Sequence, residues 1–539
     1  MSLNSKRLLI KNGFIIDGTG DKGYEGSLII NNNLIEDVIK GKWDKDEENF
    51  DKIVDSKNLI IAPGFIDIHS HLDWYQADSD INYISPFIKQ GITTIIGGNC
   101  GYSAAGIKRN SIYLDEINKN LFQHDLIAPT FSEYFDKVKK NELTQNVVIL
   151  AGHGTTRSSV CGNSAKLIDG QLDEILNILN QAMDDGAAGV SFGLQYVPGQ
   201  YSSLGEMEEI AKLVKSKDKI FTAHARAFSV LSGDYPLVPF GEPHNIIALK
   251  ELLNIAEKTK VNMQISHLIF VGKSTHKTSH KALRLIDDAI EKGINVNFDT
   301  YGHHCGVSSI NVFLPPWFKT KGLDAYKDNK LLFKVKMMMN VIFKLLGFDY
   351  SNIQILDAGC EELSQYNGMF LPEIAEIRSM SNFMNYMDFA YKSNGKASVL
   401  MHEYTSEDNL DDLIKHKASM FMTDAWYEPR GYQNPGTFGS IPRIIQIIRD
   451  KKLLSKEETI YKLTGASRNK IGIKDRGLLF KGMAADITIL DWDNVEFNIV
   501  GACKIEEPKG IAHVFINGGH VLENGKLLND AAFGIPLKL

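Results

Sequence analysis

Apolar positions along this chain follow two rhythms. From residue 7 to 62 short apolar runs are punctuated by turn residues: RLLIKNGFIID, SLIINNNLIEDVI and NLIIAPG. The Asn-Gly at 12–13 and the asparagines at 31–33 suit tight turns between hairpin strands. The same texture returns near the other end, in DITILDW and AHVFINGGHVLENGKLL. Strand-rich ends around a different middle predict a small β-sandwich formed from both termini, residues 1–62 plus 475–539.

Between them, apolar runs that stop at polar residues alternate with helical patterns. The runs are GFIDIHSH (64–71), TTIIGGNC (93–100), NVVILAGHG (146–154), AGVSFGL (188–194), KIFTAHAR (219–226), VNMQISH (261–267), INVNFDTY (294–301) and ASMFMTD (418–424). Helical stripes lie between them: EMEEIAKLVKS puts Met207, Ile210, Leu213 and Val214 on one side, and HKALRLIDDAIEKG has the same period. Eight near-continuous apolar strands alternating with helices predict an α/β fold, a parallel (β/α)8 barrel of the TIM type over residues 63–474. Residues 312–398, between strands seven and eight, are too long for a barrel connection and are helical in pattern. They are expected to form an inserted helical lid beside the barrel mouth.

Composition narrows the function. The chain has 539 residues, 43% hydrophobic, with 59 basic and 66 acidic residues and a net charge of −7. Interspersed charge of that balance gives no footprint for nucleic acid or an anionic membrane, so neither is expected as a partner. Five scattered cysteines (100, 161, 305, 360 and 503) without CxxC spacing look like reduced thiols of a cytoplasmic protein. The N-terminal stretch lacks the apolar run of a signal peptide, and no apolar span reaches transmembrane length. Nothing in the sequence reports the oligomeric state.

The chemistry is at the strand ends. Strand one ends His69-Ser70-His71, and side chains two apart on a strand point the same way, so both imidazoles face the barrel axis. Strand two ends at Cys100, strand five at His224, strand six at His267 and strand eight at Asp424. All six sit at the carboxyl end of a strand, where barrel enzymes build their sites. Four histidines, a thiol and a carboxylate at one mouth imply a metal centre, and imidazole with thiolate selects zinc over magnesium or calcium. Zinc activates water and polarises a carbonyl, and Asp424 is placed as the general base and acid of a hydrolase.

These residues carry a resemblance. GFIDIHSH, the strand-end histidines and the Thr-Asp of strand eight resemble the amidohydrolase superfamily. Within it, GITTIIGGNCG, GAAGVSFGLQYVPGQY, QISH and RGLLFKGMAADITILD are similar to the N-acyl-D-amino-acid deacylases (the D-aminoacylase branch), over nearly the whole chain apart from the insertion. The resemblance implies a zinc-dependent hydrolase of a linear N-acyl amide bond in a small acylated substrate. It implies that Cys100, in place of a strand-four lysine or glutamate, joins His224 and His267 around one tightly bound zinc. His69 and His71 then form a second, weaker metal position next to Asp424. Tyr196 and Tyr301 correspond to the family's substrate-facing tyrosines. His153 and Arg157 match a family motif without an assigned chemical role.

Two departures bear on the substrate. Where the family has a lysine after the strand-six histidine, this chain has Ile269; where it has an arginine after strand eight, NPGTFGSIPR puts Gly436. In the family those cations bind the substrate's α-carboxylate. Either Arg430 and Lys273 take their place, or the substrate is neutral, a lactam or a larger acylated compound without a free α-carboxylate. A ring-opening cyclic amidase is disfavoured by the missing strand-four lysine, and a non-catalytic scaffold by the complete ligand set.

Overall fold

The computed structural model describes residues 6–77, 84–117, 127–141, 143–236, 238, 241–319, 321–428, 430–500, 504–505, 507–529 and 532–539. All eight predicted barrel strands form: Phe65–Asp67, Ile92–Gly97, Asn146–Ile149 (resuming as Ala151–Gly152), Gly189–Gly193, Ile220–His224, Asn262–Ile265, Val296–Thr300 and Ser419–Phe421. They pair in parallel in chain order, with strand three broken at Leu150 so that its first half pairs with strand two and its second with strand four. Strands eight and one close the ring through a side chain. Asp67 accepts from the Thr423 N–H at 3.0 Å and the Thr423 hydroxyl at 2.6 Å. Beyond it, the Asp424 N–H donates to the His69 carbonyl and the His71 N–H to the Ala425 carbonyl. The seam therefore fixes strand eight's Asp424 against strand one's histidines.

Helices with one apolar stripe cover the barrel. Leu204–Ser216 is capped by the Ser203 side chain on the Glu206 N–H and buries Met207, Ile210 and Val214. Ser279–Glu291 buries Ala282, Leu283, Ile286 and Ala289.

The terminal β-unit is one continuous nine-stranded sheet, curled around a core of residues such as Ile10, Leu28, Ile61, Ile487 and Phe515. Ile60–Pro63 and Ile487–Leu490 join its two halves antiparallel. The asparagines at 31–33 make the expected hairpin, Asn32 taking φ 54° between paired strands. Asn12-Gly13 does not: it is a bulge inside strand Arg7–Ile15, whose first half then pairs with Lys52–Asp55 and its second with Ile60–Pro63. A Cβ at Gly13 would lie 2.5 Å from Ile61 Cδ1, so glycine is needed for that close approach. The C-terminal residues leave this unit altogether, Pro536 bridging to Val147 at the base of the barrel.

The insertion departs from a purely helical lid over 312–398. Its frame is a three-stranded antiparallel sheet of Gly306–Ser309, Ile353–Asp357 and Ser398–Met401, which places its start before residue 312 and its end after 398. Helices Asn329–Leu346 and Asn382–Lys392 pack on it around a separate core that includes Val335, Met339, Ile355, Tyr386 and Val399. The strands are four or five residues long and pair over long separations, so no local periodicity announces them.

Candidate metal centre

The six strand-end residues meet. Cys100 Sγ lies 3.4 Å from His69 Nε2, 3.6 Å from His224 Nδ1 and 3.4 Å from His267 Nε2. His224 Nδ1 and His267 Nε2 are 2.9 Å apart. Opposite them, Asp424 Oδ1 lies 3.3 Å from His69 Nε2 and 3.4 Å from His71 Nε2. The imidazoles and the thiol are buried, whereas the Asp424 side chain is 23% exposed. Asp424 is thus the member of the cluster best able to exchange a proton with a reactant arriving from solvent.

Backbone turns aim these side chains. Cys100, His267 and Asp424 have positive φ, at 52°, 30° and 49°. Such conformations cost about 1–3 kcal/mol each for residues with a Cβ, and their concentration at one site marks a structure held for function. Flanking contacts hold them: the Gly101 N–H donates to Ser191 Oγ, and the His267 N–H to Asp299 Oδ1 at 2.5 Å. Two glycines make room. A Cβ at Gly98 would lie 2.1 Å from the Leu150 carbonyl oxygen, and one at Gly193 2.0 Å from that of Cys100.

Burial opposes charge on every group here, and the neighbours reverse it. Burial pushes the Cys100 thiol up, but His69, His267 and the His224 contact hold it well below the usual thiol range. Burial pushes His69 down, yet Cys100, Asp299 and Asp424 raise it well above its ordinary value. His71, also buried, is lifted to about 9 beside Asp424 and Cys100. His224 falls to about 4 through burial and the facing His267. Asp424 stays below the usual carboxylate range despite burial, because His267, His69 and His71 face it. Two anions among four imidazoles make a pocket for a cation.

The spacing fits one. With zinc–sulfur and zinc–nitrogen bonds of about 2.3 and 2.0–2.1 Å, tetrahedral geometry separates the two donors by about 3.5 Å. The Cys100 distances to His224 and His267 bracket that value. Cys100 with His224 and His267 is one group of donors; His69 with His71 and Cys100, and His69 with His267 and Asp424, are two more.

Comparison with known proteins adds a family resemblance. Residues 52–301 match the amidohydrolase family model. A D-aminoacylase of Alcaligenes xylosoxydans xylosoxydans is 24% identical over 522 residues, 95% of this chain and 94% of that protein. An N-acyl-D-aspartate deacylase of the same organism is 23% identical, over 95% and 91%. Among solved structures, N-acyl-D-glutamate deacylase from Bordetella bronchiseptica, complexed with zinc and a phosphonate inhibitor, shares the fold with a TM-score of 0.79 at 22% identity, over 99% of both chains. Over residues 52–301 the chain resembles the amidohydrolases.

The chain surrounds its cluster with partners that sequence reasoning did not single out. Asp299 lies 3.4 Å from His69 Nδ1, accepts from the His267 N–H, and is itself held by Gln264 Nε2 at 2.8 Å. Gln195 Oε1 lies 3.1 Å from His224 Nε2. Such outer partners fix the tautomer and ring angle of a metal-binding histidine. A signal existed: Asp67 stands two before His69, and Asp299 two before Tyr301, on alternating strand positions. His153 and Arg157 are placed elsewhere, against buried Glu206 at 2.8 and 3.1 Å, tying the third strand's helix to Leu204–Ser216.

The walls of the mouth are aromatic. Tyr196 Oη lies 3.4 Å from His224 Nδ1, and burial with the charges of Cys100 and Asp424 holds its phenol neutral, well above its usual range. Tyr301 is buried and behaves likewise under burial, Asp424 and Tyr404. Tyr404, returning from the insertion, was not foreseen. Ile269 is buried in the loop after strand six, 8% exposed. The expected stand-in cations do not join the cluster. Lys273 is 66% exposed and faces Glu403 at 3.6 Å, and Arg430 is exposed with no hydrogen bond or ion pair to the cluster. At Gly436 a Cβ would lie 2.6 Å from the Thr423 carbonyl oxygen, which excludes a side chain there. The polar group behind strand eight is instead an acid, Glu428. Burial raises it to about 6, and it accepts from Trp426 Nε1 at 2.6 Å.

Proposed function

We propose that this protein is an amidohydrolase that hydrolyses a linear N-acyl amide bond of a small acylated substrate, using zinc at the barrel mouth. The observation that carries the reading is the convergence of Cys100, His224 and His267 within 3.6 Å, with Asp424 set against His69 and His71. Cys100, His224 and His267 are the ligands of a tightly held ion, and His69 and His71 offer a second position next to Asp424. Zinc is the ion that thiolate and imidazole favour, and when bound it supplies Lewis-acid polarisation of the scissile carbonyl and a more acidic water.

The chain's own groups supply the rest. Asp424, ionised and partly exposed, takes the proton of the attacking water and returns it to the leaving nitrogen. Tyr196 and Tyr301, kept neutral, donate hydrogen bonds to the oxygen on which charge develops. Asp299 holds His69 and the His267 loop in register. Replacing Asp424 by Asn should leave the tightly held zinc in place and lower kcat about 10²–10⁴-fold. Retained turnover with zinc present removes Asp424 from the mechanism.

One observation favours a particular substrate. The named relatives are deacylases of N-acyl-D-amino acids, but here Ile269 is buried, Gly436 admits no side chain, Lys273 faces Glu403 and Arg430 is exposed. With both cations so disposed, that side of the pocket suits an acylated compound without a free α-carboxylate. Zinc-loaded protein assayed on N-acetyl-D- and L-amino acids and on their carboxamides decides the matter. Faster turnover of the carboxamides is expected, and preference for the free D-acids restores the family substrate.

A further inference from the structure

Helix Asn329–Leu346 of the insertion has two apolar faces. Leu332, Val335, Met339, Phe343 and Leu346 face the insertion's own core. A second row, Phe333, Met337, Val341 and Leu345, recurs every fourth residue and is 66%, 50%, 54% and 52% exposed. Large apolar side chains scattered singly on a surface are ordinary, but four in a contiguous row are not.

The charge on the same helix is one-sided. It carries Lys330, Lys334, Lys336 and Lys344 and no acidic residue, a local +4 in a chain whose net charge is −7. All four lysines are exposed, and among the described residues none has a carboxylate within 4.0 Å. Lys334 Nζ lies over the Trp317 ring at 4.6 Å and Lys336 Nζ over the Phe383 ring at 6.0 Å, cation–π contacts that leave both side chains at the surface. The helix ends against the mouth: Leu346 O would lie 2.5 Å from a Cβ at Gly272, in the loop that carries Ile269.

We propose that this outer face docks on an anionic lipid bilayer. The row from Phe333 to Leu345 enters the boundary between headgroups and acyl chains, and the four lysines lie among the lipid phosphates. An interfacial helix is built this way, from apolar side chains for depth and snorkelling cations for the charged surface. A second copy of the chain is the poorer occupant, because two such helices face to face oppose +4 with +4. The whole-chain charge hides this patch, since the acids that outweigh it lie elsewhere. The proposal is independent of the hydrolytic reading.

Sedimentation of the full-length protein with vesicles tests it. Equal parts phosphatidylglycerol and phosphatidylcholine should carry the protein down, pure phosphatidylcholine should not, and added salt should release it. Replacing Phe333, Met337, Val341 and Leu345 by serine should weaken vesicle binding at least about tenfold, as should Lys330→Glu with Lys334→Glu. Unchanged hydrolytic activity and melting temperature in these variants show that the fold is intact. Absence of binding to the anionic vesicles, binding that survives both sets of substitutions, or a dimer in light scattering that the serine variant dissolves, each overturns the proposal.

Discussion

Among the described residues, two regions bring a pair of histidines and a carboxylate within ligand distance, and their counter-charges differ. At the barrel mouth the nearest imidazole nitrogens, His224 Nδ1 and His267 Nε2, are 2.9 Å apart. In the terminal β-unit His513 Nδ1 and His520 Nε2 are 3.2 Å apart, with Glu523 beside them. The counter-charge separates the two. Glu523 is already neutralised by Lys52 Nζ at 3.0 Å, and Lys52 also disfavours any cation at the histidines. Around Cys100 and Asp424 the largest opposing charges are imidazoles, which can give up their protons to a metal. Proximity of donors is common; two anions answered, among the described residues, by imidazoles and by no ion pair to a lysine or arginine are the distinguishing feature.

The sharpest way to break the comparison is to remove one donor from each cluster. Cys100→Ala should lose the tightly bound zinc and, with it, all measurable hydrolysis. His520→Gln should keep the full zinc content of the parent by elemental analysis. Equal zinc in Cys100→Ala and the parent removes Cys100 as a ligand, and loss of zinc in His520→Gln makes the second cluster a real site. Tyr196→Phe should retain zinc and lower kcat about 10²-fold, the usual cost of one oxyanion donor. An unchanged kcat reduces that ring to packing.

Asp299→Asn is a subtler probe, because it acts through His69 and His267. Outer partners of metal-binding histidines are typically worth 10–100-fold in metal affinity. The variant should release zinc to a competing chelator about tenfold more readily and recover activity when zinc is added in excess. Activity that stays low at saturating zinc gives Asp299 a role beyond positioning.

The barrel and the residues that meet at its mouth were legible because the same local rule writes both. Each apolar run ends at the residue that meets the mouth, so locating the strand also locates His69, Cys100, His267 or Asp424. What stayed hidden is non-local or depends on three-dimensional fit. Asp67 seals the barrel against Thr423, 356 residues away, and Asp299 reaches His69 across the mouth. The Asn12-Gly13 pair reads as a turn by composition, and only the crowding by Ile61 makes it a bulge. The strands of the insertion are short and partly polar, GVSS among them, so the helices around them dominated the pattern. The cationic patch of Asn329–Leu346 vanished in the sum of charges, since averaging over 539 residues discards position.

The smallest effect isolates the second cluster by pH alone. His520 is held down at about 4, first by burial and then by Lys52 and His513, while the unfolded chain titrates near 6.5. Between those values the unfolded state binds more protons, so stability falls as pH drops from about 6.5 to 4. His520→Gln removes one titrating group from that window. With the group partly screened and the chain large, the melting temperature of the variant should fall by only about 1–2 °C less than that of the parent over this range. The effect needs no metal, so the difference between parent and variant should be the same with and without chelator. A chelator that flattens the acid sensitivity of the parent more than that of His520→Gln means that a metal sits on His513 and His520, and that Lys52 does not guard them.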